Sequence, residues 1–300
     1  MPEYPDITIY VEGLGKRVLG QVLERIQILD MFVLRTAVPP VNSLEGRKVE
    51  RLRRVGKRIA IGFEGGRWLV MHLMIAGRLQ WADAGAKPTA RNALAHLVFA
   101  RGALTLTEAG STRRAALHVV EDEAGLRAHD PGGLEVMEAS AEEFAAALTR
   151  ENHTLKRALT DPRTFSGIGN AYSDEILHAA KLSPVALTQK LGKAEIERLW
   201  RAVREVLTRW AERLRKELNG KFPEKVTAFH PQMAVHGKFG KPCPVCGVTV
   251  ERIRYAENEV NYCPKCQTGG KVLADRSLSR LLKGDWPRTV EEMETARRET

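Results

Sequence analysis

The chain of 300 residues is 43% hydrophobic and 28% charged, a balance that suits packed domains and excludes a disordered chain. Lys and Arg number 47 against 37 Asp and Glu, a formal charge of +10, which points to a polyanionic partner because each bound phosphate releases counterions. No run approaches about 18 uninterrupted apolar residues, which excludes a membrane-spanning helix. No basic and apolar leader opens the chain, and four cysteines are too few for a disulfide scaffold, so a soluble protein of the cell interior is expected.

Ile7, Tyr10, Val11 and Leu14 recur at helical spacing and predict an amphipathic helix over residues 6 to about 15. Alternation then takes over. Ile59, Ile61 and Phe63 read as a strand, Glu64-Gly65-Gly66-Arg67 as a turn, and Trp68–Met74 as the returning strand. Ala95–Ala100 and Ala103–Thr107 form a second pair around Arg101-Gly102. A β-sandwich or flattened barrel is the expected architecture of this half. His129-Asp130-Pro131-Gly132-Gly133 is turn-rich and reads as a linker. Beyond it the period becomes helical. Ser140-Ala141-Glu142-Glu143 has capping-box spacing before a helix through Leu148. Helical pattern continues over Leu155–Thr160 and Ala171–Ala180, and Ile196, Leu199, Trp200, Val203, Val206, Leu207, Trp210 and Leu214 make one apolar stripe that reads as core.

Cys243-Pro-Val-Cys246 and Cys263-Pro-Lys-Cys266 are two C-x-x-C knuckles separated by 16 residues. At that spacing a short hairpin brings four thiolates onto one tetrahedral Zn²⁺. A redox motif is the competing reading, but redox pairs do not usually come matched with every other cysteine absent. Four thiolates leave no open coordination position, so the metal is structural.

Two further features carry chemistry only in combination. Pro2 follows Met1, and removal of Met1 would leave a secondary amine whose ordinary pKa of about 7.7–8.0 keeps part of it unprotonated near neutrality. Such an amine can attack a sugar aldehyde carbon to give an iminium, and Glu3 beside it could move the protons of ring opening. A Met-Pro start is also unremarkable by itself. Gly167-Ile168-Gly169-Asn170 then opens a helix with backbone N–H groups directed outward, a geometry that receives phosphates, although it also suits a plain interhelical turn.

Taken together and in this order, these features resemble the formamidopyrimidine-DNA glycosylase/endonuclease VIII family. Pro2-Glu3-Tyr4-Pro5-Asp6 is similar to the family's start, LKRALTDPRTFSGIGNAYSDEIL (155–177) to its helix–two-turn–helix, and Val235–Cys243 to the lead into its finger. The resemblance covers roughly residues 2–267. It implies Pro2 as nucleophile, Glu3 as the assisting acid, and Lys57, in the Gly56-Lys57-Arg58 turn, as a catalytic lysine that binds phosphate beside the lesion and assists the reaction. It implies Lys156, Gly169 and Asn170 as backbone contacts of the helical motif, and Glu175 as an acid behind the active site. Asp6 stands where the family usually has Glu. In His72-Leu73-Met74-Ile75-Ala76-Gly77, Ile75 takes the place of the Met that relatives push into the emptied base stack, a role open to an apolar wedge. Glu108–Arg114 lacks the aromatic of the corresponding family loop, and Asn258 replaces the finger arginine.

The expected fold is multi-domain α+β: an N-terminal β-sandwich over 1–130, a helix–two-turn–helix domain over 139–235, a four-Cys zinc finger over 236–268 (Cys243, Cys246, Cys263, Cys266), and an extension over 269–300. In that extension Leu273, Leu278, Leu281 and Leu282 suggest a short packing helix. The implied function is a bifunctional DNA glycosylase/AP lyase. It would act as a monomer on double-stranded DNA holding a damaged base or abasic site, in a bacterial-type cytoplasm near the nucleoid. It would need one structural Zn²⁺ and no other cofactor, and the backbone would be gripped in a cleft between domains. The alternative is a non-catalytic protein that recognises damaged or structured DNA on the same scaffold.

Overall fold

The structure is a computed structural model. It describes residues 1–85, 92–110, 113–227, 229–255, 258–274 and 286–298. Two compact units divide the chain: Met1–Gly132 with Thr208–Ala228, and Gly133–Leu207 with Phe229–Thr300.

The first unit begins with helix α1 (Tyr4–Val18), longer than the periodicity suggested, with Ile7, Tyr10, Leu14 and Val18 buried at helical intervals. Position 13 takes a glycine because a Cβ there would lie 3.1 Å from the ring of Pro223 and 3.3 Å from that of Phe222. Two four-stranded antiparallel sheets follow. One has the order β1 (Leu23–Ile28), β6 (Ala93–Phe99), β7 (Gly102–Glu108), β5 (Gly77–Asp83); the other β2 (Val49–Val55), β3 (Arg58–Phe63), β4 (Trp68–His72), β8 (Ala116–Val120). Strand β4 stops at His72, two residues short of the expected Met74, because Met74 takes a left-handed backbone, φ 53°, that leaves the ladder.

Ile59, Ile61, Phe63, Leu69 and Met71 join the main core with α1 and the β1–β6–β7–β5 sheet. Ala60, Val70 and Trp68, on the opposite face of β3 and β4, are covered by Leu126 of α2 (Glu123–Arg127). Burial on both faces is why these strands read as nearly continuous apolar runs.

The second unit holds α3 (Ala141–Thr149), capped by Ser140 and Glu143 as expected, then α4 (Leu155–Thr160), α5 (Asn170–Ala179) and the first part of α6 (Lys193–Leu218). The hairpin of β9 (Glu251–Tyr255) and β10 (Asn258–Tyr262) leads into the short α7 (Pro264–Thr268). The chain end returns: Lys271 bridges Thr289, the Val272 N–H donates to Arg288 O at 2.9 Å, and α8 (Val290–Arg298) follows. Leu273 packs against Ile253, Val260 and Tyr262; Leu278, Leu281 and Leu282 lie outside the described residues.

Candidate active site and nucleic-acid interface

At the amino end Pro2, Glu3, Pro5 and Asp6 are all buried. Glu3 caps α1, and its N–H donates to Asp6 Oδ2 at 2.8 Å. The shorter acid at position 6 is therefore the local support that orients Glu3. Burial pushes the Asp6 carboxyl up to about 7, against the Glu3 N–H bond that pulls it down. The terminal amine of Met1 is held below its usual range, first by burial; Glu3 and Asp6 raise it, and the charges of Arg78 and Lys57 lower it. Pro2, Glu3, Asp6 and Lys57 are thus brought into one neighbourhood.

Three turns share one end of the β2–β3–β4–β8 sheet. Arg58 faces His72 across β3 and β4, and His72 faces Ala116 across β4 and β8. The Lys57 turn, the Leu73–Gly77 turn and the end of the β7–β8 loop therefore lie side by side. In the second of these Gly77 N–H donates to Leu73 O at 2.9 Å. A Cβ at Gly77 would sit 2.2 Å from that same oxygen, so only glycine closes the turn. Arg78 staples it by donating to Gly77 O at 2.7 Å and Ile75 O at 3.1 Å. Ile75 is left 59% exposed at the tip, the placement a wedge requires. The β7–β8 loop is described except at 111–112. It is anchored by buried Glu108, whose Oε2 accepts from the N–H groups of Arg114 and Ala115 at 2.8 and 2.9 Å. His72 and His118 are both pushed down to about 4, mainly by burial and then by neighbouring cations and imidazoles. Neither imidazole carries charge at neutral pH.

In the second unit Gly169 caps α5, and Gly167 supplies the left-handed step before it, φ 81°. Lys156 Nζ donates to Asn170 O at 2.7 Å and to Asp174 Oδ1 at 2.5 Å. Asn170 Nδ2 donates to Glu259 O at 3.0 Å in the finger hairpin. Lys156, Gly169 and Asn170 therefore meet around one helix start, with the lysine already paired to a buried acid. Glu175 is a clamp: its carboxylate accepts from the N–H groups of Ala234, Val235 and His236 at 2.9, 2.9 and 3.0 Å. Asp174 Oδ2 accepts from Asn261 N–H at 3.2 Å and pairs with His236 Nδ1 at 2.7 Å.

The four cysteine sulfurs lie within 4.8 Å of one another and form no disulfide. Cys246 and Cys263 are 3.4 Å apart, Cys243 and Cys266 4.0 Å. A tetrahedral site with Zn–S bonds of about 2.3 Å sets sulfurs about 3.8 Å apart, so the donor set fits zinc. His178 Nε2 lies 3.3 Å from Cys243 Sγ, placing a second-layer donor on one ligand. In the hairpin Glu259 gathers Arg252 at 3.1 Å and Arg254 at 3.9 Å, while Arg252 stacks on Phe239 at 4.0 Å. The backbone of Asn258 opens β10 opposite Tyr255; its side chain lies outside the described residues, as do Ala256 and Glu257.

Sequence reasoning missed Asp174, His236, Glu108 and Arg78. Asp174 and His236 work on residues distant in the chain, Glu108 through backbone N–H groups and Arg78 through backbone carbonyls, and none of these leaves a local pattern. The one available signal was the Asp174-Glu175 pair directly before Ile176 and Leu177 in a helix expected to pack, since buried acids need partners.

A β-sandwich unit, a helix–two-turn–helix and a four-thiolate zinc finger, in that order along one chain, define the scaffold of a class of base-excision glycosylases. Residues 1–116 match the formamidopyrimidine-DNA glycosylase N-terminal domain, 130–218 its H2TH domain, and 240–269 the zinc finger found in FPG and IleRS. An uncharacterized formamidopyrimidine-DNA glycosylase-like protein of Mycobacterium tuberculosis is 41% identical over 151 residues, covering 50% of this chain and 94% of its own length. The formamidopyrimidine-DNA glycosylase of Thermus thermophilus is 32% identical over 284 residues, 90% of this chain and 100% of its own. Lactococcus lactis FPG, solved with Fapy-dG-containing DNA, shares the fold with a TM-score of 0.78 at 23% identity, covering 89% of this chain and 100% of that one. The chain belongs to the formamidopyrimidine-DNA glycosylase family, and its four cysteines form the structural zinc site of that family's finger. Among the described residues no helix is long and apolar enough to cross a membrane.

Proposed function

We propose that the chain is a DNA glycosylase with AP-lyase activity that uses Pro2 as its nucleophile. The observation that carries the reading is the amino end itself: Pro2 and Glu3 buried, with Asp6, Arg78 and Lys57 acting on that end. Once Met1 is removed, the freed Pro2 amine would occupy surroundings whose burial favours its neutral, nucleophilic form. It attacks C1′ of the damaged nucleoside. The glycosidic bond breaks, the base leaves with a proton, and the opened sugar remains joined to Pro2 as an iminium. Glu3 moves the proton that ring opening needs. Loss of a C2′ proton then expels the 3′ phosphate, and water releases the enzyme.

Lys57 in the first unit and Lys156 with the Gly169-Asn170 turn in the second are the proposed phosphate contacts, each unit supplying its own set. Zinc supplies no step; Cys243, Cys246, Cys263 and Cys266 hold it, and it keeps the hairpin folded. Because the β7–β8 loop has no aromatic among its described residues and Asn258 lacks a guanidinium, excision of 8-oxoguanine is expected to be weak. Glycosylase assays on a lesion panel, with Glu3→Gln as the inactive control, test this. Robust 8-oxoguanine release would overturn the substrate expectation. A free Pro2 that never forms an adduct on abasic DNA would favour the non-catalytic binding reading.

A further inference from the structure

We infer that Phe32 is a second wedge for duplex DNA: it stacks on a base left unpaired or destacked at the lesion, alongside Ile75 from a separate turn. The inference rests on the DNA-repair reading above. Met31 and Phe32 occupy a single 3-10 turn, Met31–Val33, and are 72% and 79% exposed. The turn itself is fixed. Asp30 caps it by accepting from Phe32 N–H at 3.0 Å, Val33 is buried beneath it, and Leu29 and Asp30 both donate to Leu94 O. On the far side Arg35 N–H donates to Leu117 O at 2.8 Å, and Thr36 Oγ1 accepts from Val119 N–H at 2.8 Å. An apolar tip on a rigid base loses little conformational entropy when it inserts.

Its position points to DNA rather than protein. Leu34 pairs in parallel with Leu117, so Phe32, two residues earlier, stands beside the chain that enters β8. That is the sheet end that also carries the Ile75 and Lys57 turns. Asp30 pairs with Arg113, tying the turn to the β7–β8 loop. Arg35, Arg113 and Arg114 are exposed around it, and Asp30 is the acid among them. An exposed aromatic set among cations suits a polyanion whose faces are aromatic, which is a nucleic acid. The stacking group absent from the β7–β8 loop is thus supplied by its neighbour.

The test compares binding to a short duplex holding a tetrahydrofuran abasic analogue with binding to its undamaged counterpart. Phe32→Ala should weaken binding to the abasic duplex about tenfold while changing that to undamaged DNA less than twofold. The salt slope should not change, because no phosphate contact is lost. Phe32→Trp should restore binding to within about threefold, and Leu19→Ala, an exposed apolar control, should bind as the parent does. Unchanged affinity of Phe32→Ala, an equal loss on both duplexes, or a failed Phe32→Trp would overturn the inference while leaving the glycosylase reading intact. If the parent protein binds neither duplex, both readings fall.

Discussion

Glu175→Ala is expected to detach the segment that leads into the zinc finger. The carboxylate is 4% exposed and accepts from three consecutive N–H groups, those of Ala234, Val235 and His236. Hydrogen bonds to a charged group are worth about 1.5–3 kcal/mol each, and a buried donor left unpaired costs about 1–3 kcal/mol. The three bonds share one carboxylate and do not add, so a loss of about 4 kcal/mol is expected. Glu175→Gln keeps one carbonyl acceptor but turns an NH₂ toward an N–H, so it should lose about half as much. Urea unfolding of both variants, followed by finger-sensitive zinc release, gives the numbers. A loss below about 1 kcal/mol for Glu175→Ala would refute the clamp.

Asp6→Asn should remove a pH dependence with a definite sign. The folded carboxyl holds its proton up to about 7, whereas an unfolded aspartate releases it near 3.9. The native state therefore binds more protons between those values, and stability falls as pH rises through them, by at most about 4 kcal/mol. Equal slopes for parent and variant between pH 4 and 7 would contradict this. His72 and His118 act in the opposite direction: neutral when folded down to about 4, they cost stability as pH falls below about 6.5. His118→Asn should weaken that loss in acid unfolding curves. Chelation should release one zinc and four titratable thiols per chain, loosening the finger and its DNA contact; metal analysis without zinc in reducing buffer would refute it. Lys156→Ala should lower the salt slope of DNA binding by about one, and Asn258→Arg should strengthen binding; both are read from titrations at several salt concentrations.

The order of elements was legible because its signals are local. Ser140 and Glu143 cap α3 as their spacing requires, and the two knuckles converge as theirs does. What escaped was long-range. The spacing ends the first helix near residue 15, yet α1 runs to Val18 because that side chain is buried in the core the two sheets build. Met74 belongs to the apolar run of β4, but the tight closure at Gly77 bends it out of the strand. Lys156 is legible as a cation at the helix turn, while its partner Asp174 is known only once α4 and α5 meet. Glu175 was visible as an acid and illegible as a clamp, since its donors lie some 60 residues onward.

The central claim is that the second residue is a nucleophile. Borohydride reduction of the protein with abasic duplex DNA, followed by peptide mass spectrometry, tests it directly. The account predicts one covalent sugar adduct on the amino-terminal Pro2 peptide, slowed in Pro2→Gly, which puts a primary amine in place of the secondary one, and slowed in Glu3→Gln. With Met1 shown to be removed, an adduct on a lysine instead, or no adduct at all, would contradict it.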